Sequence, residues 1–153
     1  MHRHEPEDYD CPFCRVVAGG ESKVTSHGDV VLRANGATAF VAPKWWERNH
    51  GHVLVVANRH VENVYGIQDD ELADVYRAAK RVAEAVRETY GCDGTSMRQH
   101  NEPAGNQDVW HFHVHVFPRY EGDDLYRNSL RVRWTTKNER APYAARLRAY
   151  LNG

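Results

Sequence analysis

The sequence predicts an α+β fold, with a mostly antiparallel five-stranded sheet, one long central helix and a second helix at the C-terminal end. Five short strand-like runs, a hairpin signal at Asn35-Gly36 and a single long helical period between the third and fourth runs carry that prediction. Cys11 to Ala18 reads as an apolar turn or short helix that Gly19-Gly20 ends. Val30 to Ala34 and Thr38 to Ala42 follow as strands joined by the Asn35-Gly36 turn. A loop with Pro43, Trp45 and Trp46 leads through Gly51 to a third strand, His52 to Ala57. The central helix is predicted to be capped by Asp69 and stopped by Gly91, with Leu72, Val75, Tyr76, Ala79, Val82, Ala83 and Val86 at helical spacing. Thr95 to His100 and Val109 to Phe117 are the fourth and fifth strands, separated by a polar loop holding Asn101, Gly105, Asn106 and Gln107. Past Pro118 the pattern loosens, until a helix predicted to start near Pro142 presents Tyr143, Leu147, Tyr150 and Leu151 on one side.

A chain of 153 residues, 41% of them hydrophobic, can bury one real core, which makes residues 1–153 a single domain. Its 20 basic and 21 acidic residues nearly cancel, so no overall field exists to hold a nucleic-acid backbone or an anionic membrane. The start MHRHEPEDYD has no apolar stretch of signal type and no later run approaches membrane-spanning length, so a cytoplasmic protein is expected. Three cysteines, two spaced Cys11-x-x-Cys14, do not form a secreted disulfide framework. That pair serves either redox exchange or metal binding, and ten histidines favour zinc as its ligand partner set. Cys92 reads as a small buried residue. Trp45 and Trp46 read either as core or as a surface on which a base stacks.

The chemistry concentrates in His111-Phe-His113-Val-His115-Val. On a strand, side chains alternate between faces, so all three imidazoles are expected on one face and the apolar residues on the other. At about 3.3 Å per residue, neighbouring histidines originate roughly 6.6 Å apart and the outer two roughly 13 Å apart. One metal ion can therefore hold two of them but not three, which leaves at least one for another task.

Together with Gly51-His-Val-Leu-Val and the loop Asn101-Glu-Pro-Ala-Gly-Asn-Gln107, the run His111-Phe-His-Val-His-Val-Phe-Pro-Arg119 resembles the histidine triad (HIT) superfamily of nucleotide hydrolases and transferases. The likeness runs from Cys11 to about Tyr120, with residues 121–153 as a C-terminal extension. Gly122-Asp-Asp-Leu-Tyr-Arg-Asn-Ser129 is more similar to the dinucleoside polyphosphate hydrolase branch than to the phosphoramidate hydrolase branch. The resemblance implies a HIT-like fold, a structural zinc held by Cys11, Cys14, His60 and His111, and a homodimer. It implies His113 as the nucleophile that forms a nucleotidyl-histidine, with His115 and His52 on the phosphate oxygens or the leaving group. By the same likeness Asn101 and Gln107 donate to phosphate, Phe40 and Val53 line the base pocket, and the substrate is a purine nucleotide, either a dinucleoside polyphosphate of the diadenosine tetraphosphate kind or a related nucleoside 5′-phosphoryl compound. The nucleophile needs its second ring nitrogen held by an acceptor so that the correct tautomer faces phosphorus.

Two departures from the family pattern stand in the loop. Asn106 replaces a usual glycine, a mild change because asparagine tolerates positive φ. Asp108 replaces a usual serine or threonine, and its carboxylate repels phosphate unless protonated, turned aside or paired. Ala42 and Pro43 also stand where an acidic or amide residue often contacts ribose. Three other readings of the same residues are a nucleoside phosphoramidate hydrolase of the same superfamily, a metallohydrolase with a His111-x-His113 metal pair, and a nucleotide-binding regulatory module that has lost turnover at Asp108.

Overall fold

The computed structural model describes residues 2–127 and 131–153. Its main sheet is antiparallel throughout, built from β1 (Val30–Ala34), β2 (Ala37–Val41), β4 (Val53–Ala57), β5 (Gly94–Arg98) and β6 (His113–Arg119) in the order β1-β2-β4-β6-β5. The β1–β2 hairpin turns at Asn35-Gly36, where Gly36 takes φ +73°, a value that glycine adopts without a Cβ penalty. Strand alternation then sorts the two faces. Ala37, Ala39, Val41, Val53, Val55, Val114 and Val116 meet Val75, Ala78, Ala79, Val82 and Val86 of α2 (Asp69–Tyr90) in the larger core cluster. Phe40, Ala42, Leu54 and Val56 point the other way, onto Cys11, Phe13 and Val16 at α1 (Pro12–Val17).

α2 starts one position earlier in its capping than the sequence suggests. Gln68 is the cap and Asp69 the first helical residue, because the Glu71 carboxylate reaches back to accept the Gln68 backbone N–H at 3.0 Å. Gly91 ends the helix in the left-handed conformation, as expected. Tyr76, placed on the inner face by its spacing, is exposed. α3 (Lys137–Leu151) begins five residues before the predicted start at Pro142. Thr136 and Glu139 cap it reciprocally, with the Glu139 N–H donating to Thr136 Oγ1 at 3.2 Å and the Thr136 N–H to Glu139 Oε2 at 2.7 Å, which starts the helix ahead of Pro142 and leaves that proline inside it. Ala144, Leu147 and Leu151 sit in the larger core, while Tyr150 is exposed. Arg140 anchors α3 through a buried ion pair, its Nε donating to Asp29 Oδ1 at 2.8 Å.

Three strand expectations change. The fourth strand stops at Arg98 because the Gln99 and Asn101 side-chain amides pair with each other and carry the chain off the sheet. The fifth starts at His113, not Val109, so His111 precedes it. A second, two-stranded sheet, β3 (Lys44–Trp46) with β7 (Val132–Trp134), occupies segments read as loop. Trp45 is thereby core: it is 2% exposed and its indole N–H donates to the Ala42 carbonyl at 2.6 Å. Of the branch-related stretch 122–129, Asn128 and Ser129 lie outside the described residues. Among the described residues no helix is long and apolar enough to cross a membrane.

Candidate active site and metal centre

β6 lies between β4 and β5, and its register sets His113 opposite Val56 and His115 opposite Leu54. His52, two residues before Leu54, falls on the same face by alternation. Its ring stacks on Phe117 at 4.5 Å and on His115 at 5.7 Å, and His115 meets His113 at 5.0 Å between centroids. The three imidazoles thus form one row.

His113 is 3% exposed, and its Nδ1 lies 2.6 Å from the His111 carbonyl oxygen. A carbonyl only accepts, so Nδ1 carries the proton and Nε2 presents its lone pair. Burial pushes the His113 pKa down, against the opposing pulls of the His111 carbonyl and the Asp108 carboxylate. His52 is pulled down to about 3, and His115 well below the usual range, in both cases chiefly by burial. The row is therefore neutral near pH 7. The Nδ1 atoms of His52 and His115 are buried with no hydrogen-bond partner, which a lone pair tolerates better than an N–H, so each ring proton belongs on Nε2.

His111 leaves the row. Because it precedes β6, its ring turns toward Cys11, Cys14 and His60, and the ligating atoms of these four residues all lie within 4.8 Å of one another. His111 Nδ1 is 3.3 Å from Cys11 Sγ, 3.6 Å from Cys14 Sγ and 3.2 Å from His60 Nδ1, while Cys14 Sγ is 3.3 Å from His60 Nδ1. A tetrahedral zinc with Zn–N of about 2.05 Å and Zn–S of about 2.3 Å requires edges of roughly 3.3 to 3.8 Å. The outer nitrogens are already committed, His60 Nε2 to Glu5 Oε2 and His111 Nε2 to the Ala57 carbonyl, each at 2.6 Å. Both are donors there, so with the two rings neutral their Nδ1 lone pairs face each other at 3.2 Å, an arrangement that a cation between them relieves. Neither nitrogen of His111 faces His113, which removes the geometric basis of a shared His111-x-His113 ion.

The loop between β5 and β6 departs from expectation. Gln107 is buried, its Nε2 donating to the carbonyls of Glu62 at 2.6 Å and Val109 at 3.1 Å, while its Oε1 accepts the Glu102 N–H at 2.8 Å. It braces the loop, including Glu102 at φ +66°, a costly angle for a side-chain-bearing residue, rather than presenting free N–H groups to phosphate. Asn101 likewise pairs with Gln99 and accepts the Val64 N–H. The residue that fronts the row is His100, whose ring lies 5.7 Å from His115 and whose Nδ1 donates to the Gly105 carbonyl at 2.8 Å. The sequence reading missed it, although it stands two residues from Arg98, which pairs with His115. Asn106 takes φ +69°, as its tolerance for that region allows.

Val53 cannot line a pocket on the histidine face. It pairs with Val116 and points into the α2 side of the core, and Leu54 occupies the histidine side instead. The alternation around His52 already implies this. Phe40 is on the correct side but fully buried, with Phe13 at 5.5 Å, so it backs the face from beneath. Trp46 contacts the row directly, its ring edge-on to His52 at 5.5 Å and to Phe117 at 5.2 Å. The Asp108 side chain is 70% exposed, with Oδ1 3.8 Å from His113 Nε2.

The HIT domain profile matches residues 25–122. An uncharacterised HIT-like protein of Methanocaldococcus jannaschii is 35% identical over 114 residues, covering 74% of this chain and 81% of its own. A bis(5′-adenosyl)-triphosphatase of Dictyostelium discoideum is 30% identical over 92 residues, 60% of each chain. Among solved structures, a HIT-like protein of Bartonella henselae superposes with a TM-score of 0.79 at 25% identity, covering 96% of this chain and 99% of that one. A zinc-bound histidine triad family protein of Mycobacterium smegmatis gives 0.74 at 25% identity, over 94% of both chains.

Proposed function

The chain belongs to the HIT family, and on that premise we propose that it is a nucleotide hydrolase cleaving a dinucleoside polyphosphate, or a related nucleoside 5′-phosphoryl compound, through a nucleotidyl intermediate on His113. The observation that carries this reading is the 2.6 Å contact from His113 Nδ1 to the His111 carbonyl, which leaves Nε2 as an unprotonated nucleophile in a buried, neutral ring. Nε2 attacks the α-phosphorus; the P–N bond forms as the bond to the leaving oxygen breaks, and that oxygen takes the electron pair. The ring becomes cationic in the intermediate, and the His111 carbonyl, already accepting from Nδ1, favours that charge. Water then adds to phosphorus, the P–N bond breaks with its pair returning to Nε2, and a nucleoside monophosphate and a proton are released. His115 and His52 donate their Nε2–H groups to the phosphoryl oxygens as charge develops. Leu54 and Trp46 supply the apolar side of the pocket for the nucleoside.

Cys11, Cys14, His60 and His111 would hold a zinc ion, which when bound closes a four-ligand shell and ties α1 to the residue whose carbonyl sets the His113 tautomer. The Dictyostelium triphosphatase supports the dinucleoside polyphosphate class. β5 is an edge strand, which supports a homodimer formed by sheet extension. The proximity of Asp108 to Nε2 favours one further reading, a binding module with weak turnover. Acid quench after brief incubation with α-phosphate-labelled diadenosine tetraphosphate separates the two. The hydrolase leaves label on His113 and none in His113→Ala, whereas the module binds substrate and retains no covalent label.

A further inference from the structure

Among the described residues, none supplies an anion to Arg98, a half-buried cation. Among the described residues its side chain makes no hydrogen bond and no ion pair, and its Nε is buried without a partner. Aromatic faces hold the guanidinium instead: its carbon lies 4.5 Å from the centroid of Phe117, 5.2 Å from Tyr126 and 5.5 Å from Trp46. Contacts of this kind hold the group over the rings while, among the described residues, its N–H donors meet no protein acceptor, and a charged Nε–H buried without a partner calls for one. Arg98 is directly opposite His115 in the β5–β6 pairing and so shares the histidine face. Across that face the order runs His113, His115, Arg98, with the Asp108 carboxylate beside His113. A phosphate chain anchored at His113 is thus repelled at the Asp108 end and drawn toward the Arg98 end.

We propose that Arg98 determines substrate specificity by holding the phosphates of the leaving group, so that this site selects nucleotides whose leaving group is itself phosphorylated over those that release an uncharged amine. The inference rests on the nucleotidyl-histidine reading above. In the displacement the P–O bond to the leaving phosphate breaks and its oxygen takes the electron pair, so the charge at the Arg98 end grows as the bond breaks.

The test is the ratio of kcat/KM for diadenosine tetraphosphate to kcat/KM for adenosine 5′-phosphoramidate, in the full chain and in Arg98→Gln and Arg98→Lys. Loss of a charge-assisted contact predicts a drop in this ratio of about ten-fold or more in Arg98→Gln, with much of it recovered in Arg98→Lys. If Arg98→Gln does not fold, Arg98→Met keeps the apolar stem on Phe117 and removes the charge. An unchanged ratio with both rates falling together overturns the proposal, because then only the aromatic stack has been disturbed. Titration with inorganic tripolyphosphate by calorimetry is the turnover-independent arm: affinity about ten-fold weaker in Arg98→Gln is expected, and equal affinity overturns the proposal. If the wild-type chain cleaves neither substrate, the hydrolase reading fails, and the tripolyphosphate titration decides Arg98 by itself.

Discussion

Replacing His52 with glutamine is expected to flatten the acid sensitivity of the fold. His52 is buried between Phe117 and His115, and its pKa is held down to about 3 from 6.5, first by burial, then by the charge of Arg98 and by the repulsion from His113 whenever that ring is protonated. Between those two values the unfolded chain binds a proton that the folded chain refuses. The stability this group confers is therefore complete above about pH 6.5 and is lost as pH falls toward 3. From pH 7 to pH 5 the linkage amounts to about 2 kcal/mol for this one residue. The buried His115 adds loss of the same sign. Guanidinium unfolding of the wild type and His52→Gln at both pH values, with protein and zinc concentrations fixed, isolates the contribution. Glutamine also loses the ring stacking, but that loss is common to both pH values and subtracts out. The gap in unfolding free energy between the two proteins should close by about 2 kcal/mol on going from pH 7 to pH 5. Parallel stability lines would refute the buried neutral state assigned to His52.

Cys14→Ser removes one of four convergent ligands, so its melting temperature should fall below that of the zinc-loaded wild type; a chelator should lower the wild type toward the variant and leave the variant unmoved. Catalysis by the chelated chain that is still folded should continue, and its immediate loss on chelation would point to a catalytic metal. Asp108→Ser removes an exposed carboxylate 3.8 Å from His113 Nε2, the nitrogen proposed to attack phosphorus, and kcat/KM should rise about five-fold at low salt, with a smaller gain at high salt. A fall in Asp108→Ser would mean that the carboxylate assists His113. Arg140→Met strands the buried Asp29 carboxylate and should cost about 3–5 kcal/mol in guanidinium unfolding. Asp29→Asn in the same chain should recover part of that loss.

The features legible in the sequence are those set by local periodicity. Alternation placed His113 and His115 together with the intervening valines on the opposite side, and the 3.6-residue period found the apolar face of α2. Asn35-Gly36 and Gly91 were readable as turn and stop because their backbone angles admit few other residues. The spacing of Cys11 and Cys14 pointed to a metal, and the family likeness named His60 and His111 as partners, which the fold brings within reach. The displacement of Val53 was legible too, since adjacent residues on a strand face opposite ways.

Tertiary structure decided the rest, because these outcomes depend on contacts between segments distant in sequence. His111 departs from its two neighbours because β6 begins only at His113, once the chain has left the Cys11 and His60 cluster. Gln107 became a brace because the Glu62 and Val109 carbonyls and the Glu102 N–H converge on its amide. Trp45 and Trp46 parted, one to the core and one to the histidine row, when β3 found β7 nearly ninety residues away. His100 and Arg98 entered the site for a related reason: an edge strand's side chains acquire meaning from the strand it pairs with, and no local pattern names that partner.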